Sequence, residues 1–183
     1  MKFGGTSVQD AEAIARVREI VRGRLDERPL VVVSAMARVT RVLCTIAEAA
    51  RNADVAQAEE LLNDLLLRHH GVAEELLADD ADLFVQTVMQ IDDLWEELAA
   101  FVEDICARGR VSDCDEARII STGELLSSVI VSAALNAGGL SCTWLDAREM
   151  IVTDENYLSA RPDLAQTCAN VQAALQGKMR RSS

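Results

Sequence analysis

The sequence predicts an α/β fold, with helices packed on a parallel sheet and a long helical hairpin set into it. Three observations carry this. Leu30-Val31-Val32-Val33 is an apolar, β-branched run bounded by Pro29 and Ser34. It is too short for a helix and apolar on both faces, as a doubly covered parallel strand requires. A helix-period segment separates it from a short strand at the start of the chain, which gives the order strand, helix, strand. Half of the 183 residues are hydrophobic and only 3% are aromatic, a bias that suits helices on a sheet in one domain.

The first element ends in Lys2-Phe3-Gly4-Gly5-Thr6-Ser7. Adjacent glycines can take positive φ and let a ligand approach the main chain. Thr6 or Ser7 can cap the following helix, whose free N–H groups attract anions. Lys2 supplies a mobile charge for phosphate. The residues alone fit an ordinary strand–turn–helix junction equally well, because the pattern is neither G-x-x-x-x-G-K-[ST] nor G-x-G-x-x-G. The first helix is expected over 9–24, with Ala11, Ile14, Ala15, Val17, Ile20 and Val21 on its apolar stripe. The second strand then leads into Ser34-Ala35-Met36. Ligands of open α/β sheets bind beyond the carboxyl ends of strands, so Gly4, Gly5 and Ser34 share that edge if the two strands are neighbours.

A helix is expected over 38–51. Residues 54–108 then contain no proline and one internal glycine, Gly71. Two amphipathic patterns run through this stretch and predict a helical hairpin, with acids at Asp79, Asp80 and Asp82 marking the second helix start. The adjacent His69 and His70 read as part of a solvated face. Ala117 to Ser121 reads as a short strand or the run-in to a helix, and Thr122-Gly123-Glu124 opens an apolar helix that Gly138-Gly139 ends. In that first-turn position Glu124 reads, from its residues alone, as a glutamate favouring the helix dipole by ~0.3–1 kcal/mol. A further strand is expected over 140–146, a polar loop around Thr153 and Asp154, and a last helix from Pro162 to about Gln176, where Gly177 stops it.

The net charge is −12, which argues against a general nucleic-acid or membrane-surface role. Cys44, Cys106, Cys114, Cys142 and Cys168 form no C-x-x-C pair, so no metal site is expected and the thiols read as reduced and mostly buried. No secretory leader or apolar run of ~18 residues stands out, and a cytoplasmic protein is expected.

The string KFGGTSV resembles the opening of aspartate kinases, within the amino-acid kinase fold. Other segments follow in family order. Ser34-Ala35 is similar to a Ser-Ala after the second strand. Thr40 matches the threonine of a Thr-Asn pair, whose asparagine is here Arg41. Gly123-Glu124 resembles a Gly-Glu segment whose glutamate binds the α-amino group of aspartate. Residues 146–154 and Ala160-Arg161-Pro162-Asp163 also resemble the family, in a region that helps close the substrate side. The resemblance implies a three-layer αβα sheet of the carbamate-kinase-like type. It implies transfer of the ATP γ-phosphoryl group to the L-aspartate side chain, the first step toward lysine, threonine and methionine.

By resemblance, Lys2 is the catalytic residue, and Lys2, Gly4, Gly5 and Thr6 bind the ATP phosphates. Ser34, Thr40 and Glu124 bind the amino acid, and Mg²⁺ accompanies ATP. The match runs over 2–176 and corresponds to roughly the N-terminal half of a kinase domain. Residues 1–176 are therefore expected to be its amino-acid-substrate part, with the hairpin 54–108 inside it and 177–183 a disordered basic tail. The glycine-rich nucleotide-binding segments of the family are not found in this sequence. A truncated kinase, inactive by itself, is expected, with a homo-oligomer or a separate nucleotide-binding half as partner. The other readings are a non-catalytic amino-acid-binding or interaction module and another amino-acid kinase.

Overall fold

The structure, a computed structural model, describes residues 1–179. It divides into two compact units, Met1–Cys142 and Thr143–Ser183. In the first, β1 (Lys2–Phe3) pairs in parallel with β2 (Val32–Val33), Lys2 opposite Val32 and Phe3 opposite Val33. Between them runs α1 (Ala11–Arg22), the expected strand–helix–strand order. Four helices follow: α2 (Val39–Arg51), α3 (Val55–Leu76), α4 (Ala81–Arg108) and α5 (Asp113–Ala137). The second unit holds α6 (Leu164–Met179) behind a loop tied by a Thr153–Pro162 bridge.

The sheet is smaller than expected. Among the described residues it has two strands of two residues each, and 140–146 forms no strand. β2 is not doubly covered either: Val32 is 50% exposed, and Leu30 before it 51%. The apolar run reports strand propensity, but among the described residues of the first unit no further strand or helix layer lies over that side.

The core is helical, and α5 is its axis. Leu126, Val129, Ile130, Val131, Ala134 and Leu135 are buried on it, and α1 to α4 all pack against it. It is long and apolar enough to cross a membrane by length and composition, but two thirds of its apolar window is buried inside the fold, which accounts for its hydropathy. Its N-terminus is set by Ser112 and Asp115, which cap each other's backbone N–H groups. This box starts the helix ten residues before Gly123, so 117–121 is helical and Glu124 lies mid-helix rather than in the first turn. The favourable dipole position expected for Glu124 therefore does not exist.

Helices α3 and α4 occupy most of the 54–108 segment, joined by a short turn. Asp54 and Asp80 cap them by accepting from Gln57 N–H (3.1 Å) and Leu83 N–H (3.0 Å). Gly109 ends α4 at φ 64°, a left-handed position where glycine carries no Cβ penalty. His69 is not on a solvated face: it is fully buried. Leu65, Val72 and Ala73 stand three or four residues from it and Leu62 seven, all on the same apolar stripe, so helical periodicity decides its environment. His70 does face outward and meets Asp92 at 2.8 Å. In the second unit α6 continues through Gly177 to Met179. The rest of the expected tail, 180–183, lies outside the described residues.

Candidate functional site

Three segments that the sequence marks separately meet around Ala35. Ser34 N–H donates to the Phe3 carbonyl (3.0 Å) and Ala37 N–H to the Gly5 carbonyl (3.1 Å). The first bond continues the β1–β2 pairing, and the second closes the Gly4-Gly5 turn onto the loop after β2. A Cβ on Gly5 would stand 2.8 Å from the Ala35 carbonyl oxygen. On the other side, a Cβ on Gly123 would stand 3.0 Å from Ala35 Cβ and 3.0 Å from Val39 Cγ1. Glycine is thus required at Gly5, which approaches a backbone oxygen, and Gly123 packs tightly on side chains at the start of α2.

The side chains follow from these contacts. Lys2 is exposed, with its Nζ 4.0 Å from where a Gly4 Cβ would sit, so its ammonium group lies over the glycine turn. Ser34 is half-buried beside Phe3. Glu124, next to Gly123 on α5, is half-buried and has no hydrogen-bond or ion-pair partner among the described residues. Thr40 is exposed in the first turn of α2, one residue beyond Val39. Thr6 is exposed in the 3-10 turn Gly5–Val8. The fold therefore gathers Lys2, Gly4, Gly5, Ser34 and Gly123-Glu124, and sets Thr6 and Thr40 on adjoining, solvent-facing turns.

Two expectations about the glycine turn are corrected. Gly4 has φ −81°, and the positive-φ glycines among the described residues are Gly109 and Gly139. The pair serves close approach rather than a left-handed turn. Neither Thr6 nor Ser7 caps α1. Asp10 does, accepting from Ala13 N–H at 2.8 Å, and this bond to its carboxylate, with one from Gln9, holds Asp10 below the usual carboxylate range. Asp10 thereby occupies one of the free N–H groups at the start of α1.

The sequence reading missed two cations beside this turn. Arg38 begins α2 in a left-handed conformation, φ 73°, and Arg68 on α3 donates to the Gln9 carbonyl at 3.2 Å. An arginine at positive φ carries no sequence signal, and Arg68 lies 59 residues from its acceptor.

Among the described residues no group of three or more His, Cys, Asp or Glu side chains converges to hold a metal. The thiols are not mostly buried as expected: Cys44, Cys114 and Cys168 are exposed, and Cys106 is buried. Thr153 and Asp154 lie in the second unit, where Asp154 accepts backbone bonds from Asn156 (3.2 Å) and Arg161 (3.0 Å) and so organises its own loop.

A Gly5→Ala substitution tests the geometry directly. The added methyl meets backbone rather than a movable side chain, so the cost should be that of overpacking, about 1–3 kcal/mol. The melting temperature should fall by several degrees in thermal unfolding; an unchanged value would contradict the contact with Ala35.

The amino acid kinase family matches residues 1–178. An aspartokinase of Chlamydia muridarum is 35% identical over 166 residues, 90% of this chain and 33% of the relative. The chloroplastic bifunctional aspartokinase/homoserine dehydrogenase 1 of Arabidopsis thaliana is 33% identical over 151 residues, 82% of this chain and 16% of the relative. Among solved structures, E. coli aspartokinase III in complex with lysine and aspartate superposes with a TM-score of 0.84 at 26% identity, over 98% of this chain and 38% of that one. The same enzyme with aspartate and ADP gives 0.83 at 25% identity, with the same coverage. The chain thus spans about a third or less of the curated relatives' length. The match over nearly every residue, together with the superposition, shows that the chain belongs to the amino acid kinase family.

Proposed function

We propose that the chain is the amino-acid-substrate part of an aspartate kinase, spanning 1–176, whose reaction is phosphorylation of the L-aspartate side chain by ATP. The observation that carries this is the packing of Gly5 and Gly123 against Ala35, which sets a lysine, a serine and an unpartnered glutamate on one locality. The relatives support the substrate: they are named aspartokinases, and the solved E. coli enzyme holds aspartate in both structures and ADP in one.

Glu124 offers a carboxylate to the α-ammonium group, a charge-assisted pairing that a half-buried site strengthens. Ser34 and Thr40 offer hydroxyls to the remaining polar groups of the amino acid. The side-chain carboxylate of aspartate is already a nucleophile, so no general base is needed. One of its oxygens bonds to the γ-phosphorus as the bond to the β,γ-bridging oxygen breaks, and ADP leaves with that electron pair. Lys2 and the backbone around Gly4, Gly5 and Thr6 face the negative charge on the transferring group. Mg²⁺ accompanying ATP would offset charge on the phosphates. The complete αβα sheet layering, a cytoplasmic location and a homo-oligomer or nucleotide-binding partner belong to this same reading of the whole protein.

Calorimetric titration of the purified chain with L-aspartate, and an ATP-dependent hydroxamate trap for the acyl phosphate, test it. Aspartate should bind and glutamate should not compete well. Where turnover is measurable, alone or with a nucleotide-binding half added, Lys2→Met should lower kcat by about a hundredfold and leave aspartate affinity within twofold. Absence of aspartate binding, or full turnover by Lys2→Met, would refute the assignment.

A further inference from the structure

We propose that Arg38 and Arg68 form a phosphoryl-binding pair on the rim of the glycine turn. The turn from Gly5 to Gln9 is held at both ends by the segments that carry them. Gly5 accepts from Ala37 N–H, immediately before Arg38, and Gln9 accepts from Arg68 itself. A 3-10 turn rises about 2 Å per residue, so the two anchoring points bracket a span of less than about 10 Å. Lys2 lies at the same turn, over Gly4.

The local charge is unbalanced in the sense opposite to the chain as a whole. Arg38 has no ion-pair partner among the described residues. Burial and the nearby Arg38 charge both push the Arg68 pKa down, against the opposing pull of Asp10. Asp10 is the counter-charge to Arg68, and its oxygens also take Ala13 N–H at 2.8 Å and Gln9 Nε2 at 3.0 Å. Around Arg68 there are thus two guanidinium charges against one carboxylate, on a protein of net charge −12. Like charges held together in excess of their counter-charge favour a multivalent oxyanion, and guanidinium forks match phosphoryl oxygens in pairs. The phosphoryl group could arrive on a nucleotide, on an acyl phosphate or as free phosphate. This inference rests on the phosphate-handling reading of the glycine turn and needs no aspartate specificity.

Thermal unfolding of the purified chain at low ionic strength, titrated with inorganic phosphate against matched chloride, tests it. Arg38→Gly suits the backbone, since glycine adopts a φ of 73° without a Cβ penalty. Arg68→Gln keeps a donor for the Gln9 carbonyl. Phosphate should raise the melting temperature of the parent, and both variants should need about tenfold more phosphate for half the effect. ADP and a non-hydrolysable ATP analogue are parallel arms. If the analogue weakens in step with phosphate, the nucleotide is the source; if phosphate alone weakens, the source is free or acyl phosphate. No response of the parent to phosphate, or responses of both variants equal to the parent's, would overturn the pair. A parent that responds to phosphate but ignores L-aspartate would sink the aspartate kinase reading and leave this one standing.

Discussion

Replacing Glu124 with Gln should weaken L-aspartate binding by roughly ten- to a hundredfold, with little change in melting temperature. Glu124 is half-buried on α5 and has no partner among the described residues, so its substitution removes no contact of the fold. A hydrogen bond to a charged group is worth about 1.5–3 kcal/mol, which corresponds to that range of affinity. The amide keeps the shape and the acceptor oxygen but loses the charge that an ammonium group would meet. Calorimetric titration of both proteins reads the effect. Equal affinities would remove Glu124 from the site, while a large fall in melting temperature would make it a structural residue.

The second large effect is acid lability centred on His69. Its Nδ1 lies 2.7 Å from the Leu65 carbonyl, which can only accept, so that nitrogen carries the proton. Nε2 is buried without a partner. Burial is the dominant influence and pushes the pKa from 6.5 to about 4, with the Leu65 bond opposing and the Arg68 and His70 charges adding to the fall. In the unfolded chain the imidazole takes a proton near pH 6.5; in the folded chain it resists until about pH 4. Between these values the unfolded state binds more protons, so stability falls as pH falls through the window. The loss, of order 3 kcal/mol, is complete below the folded value. A His69→Gln variant, whose amide can still donate to Leu65, should lack this slope between about pH 6.5 and 5, above the range where carboxylates titrate. Urea unfolding across that window, followed by the fluorescence of the nearby buried Trp95, distinguishes the two proteins. Parallel slopes would refute the role of His69.

Legibility differed between local and long-range features. Helix positions followed periodicity closely, and the hairpin rests on apolar stripes and acidic N-caps that a sequence displays. His69 was legible too, since its spacing from Leu62, Leu65 and Val72 places it inward; its polarity obscured that pattern. The start of α5 was not read, because Ser112 and Asp115 form the capping box while Ile119-Ile120 mimics a strand. Gly4-Gly5, Ser34 and Gly123-Glu124 were recognisable as segments. Their meeting at Ala35 depends on contacts spanning some 30 to 90 residues of chain, which no local pattern encodes. Arg38 and Arg68 belong to that same class. The sheet was the least legible part, because β propensity records what a segment tolerates, and pairing needs a neighbouring strand.

The brevity of β1 and β2 has a thermodynamic consequence. Two residues per strand give a ladder of only a few hydrogen bonds, and one side of β2 stands in solvent. Amides of α5 can exchange with solvent only when the helical core comes apart, whereas those at Val32 and Ser34 need only the strand pair to part. The glycine turn and Ser34 are hung on the lowest rung of that hierarchy of opening energies. Any ligand that bridges Lys2 and Glu124 therefore spends part of its intrinsic affinity holding β1 against β2, and ordering of this strand pair becomes a component of molecular recognition.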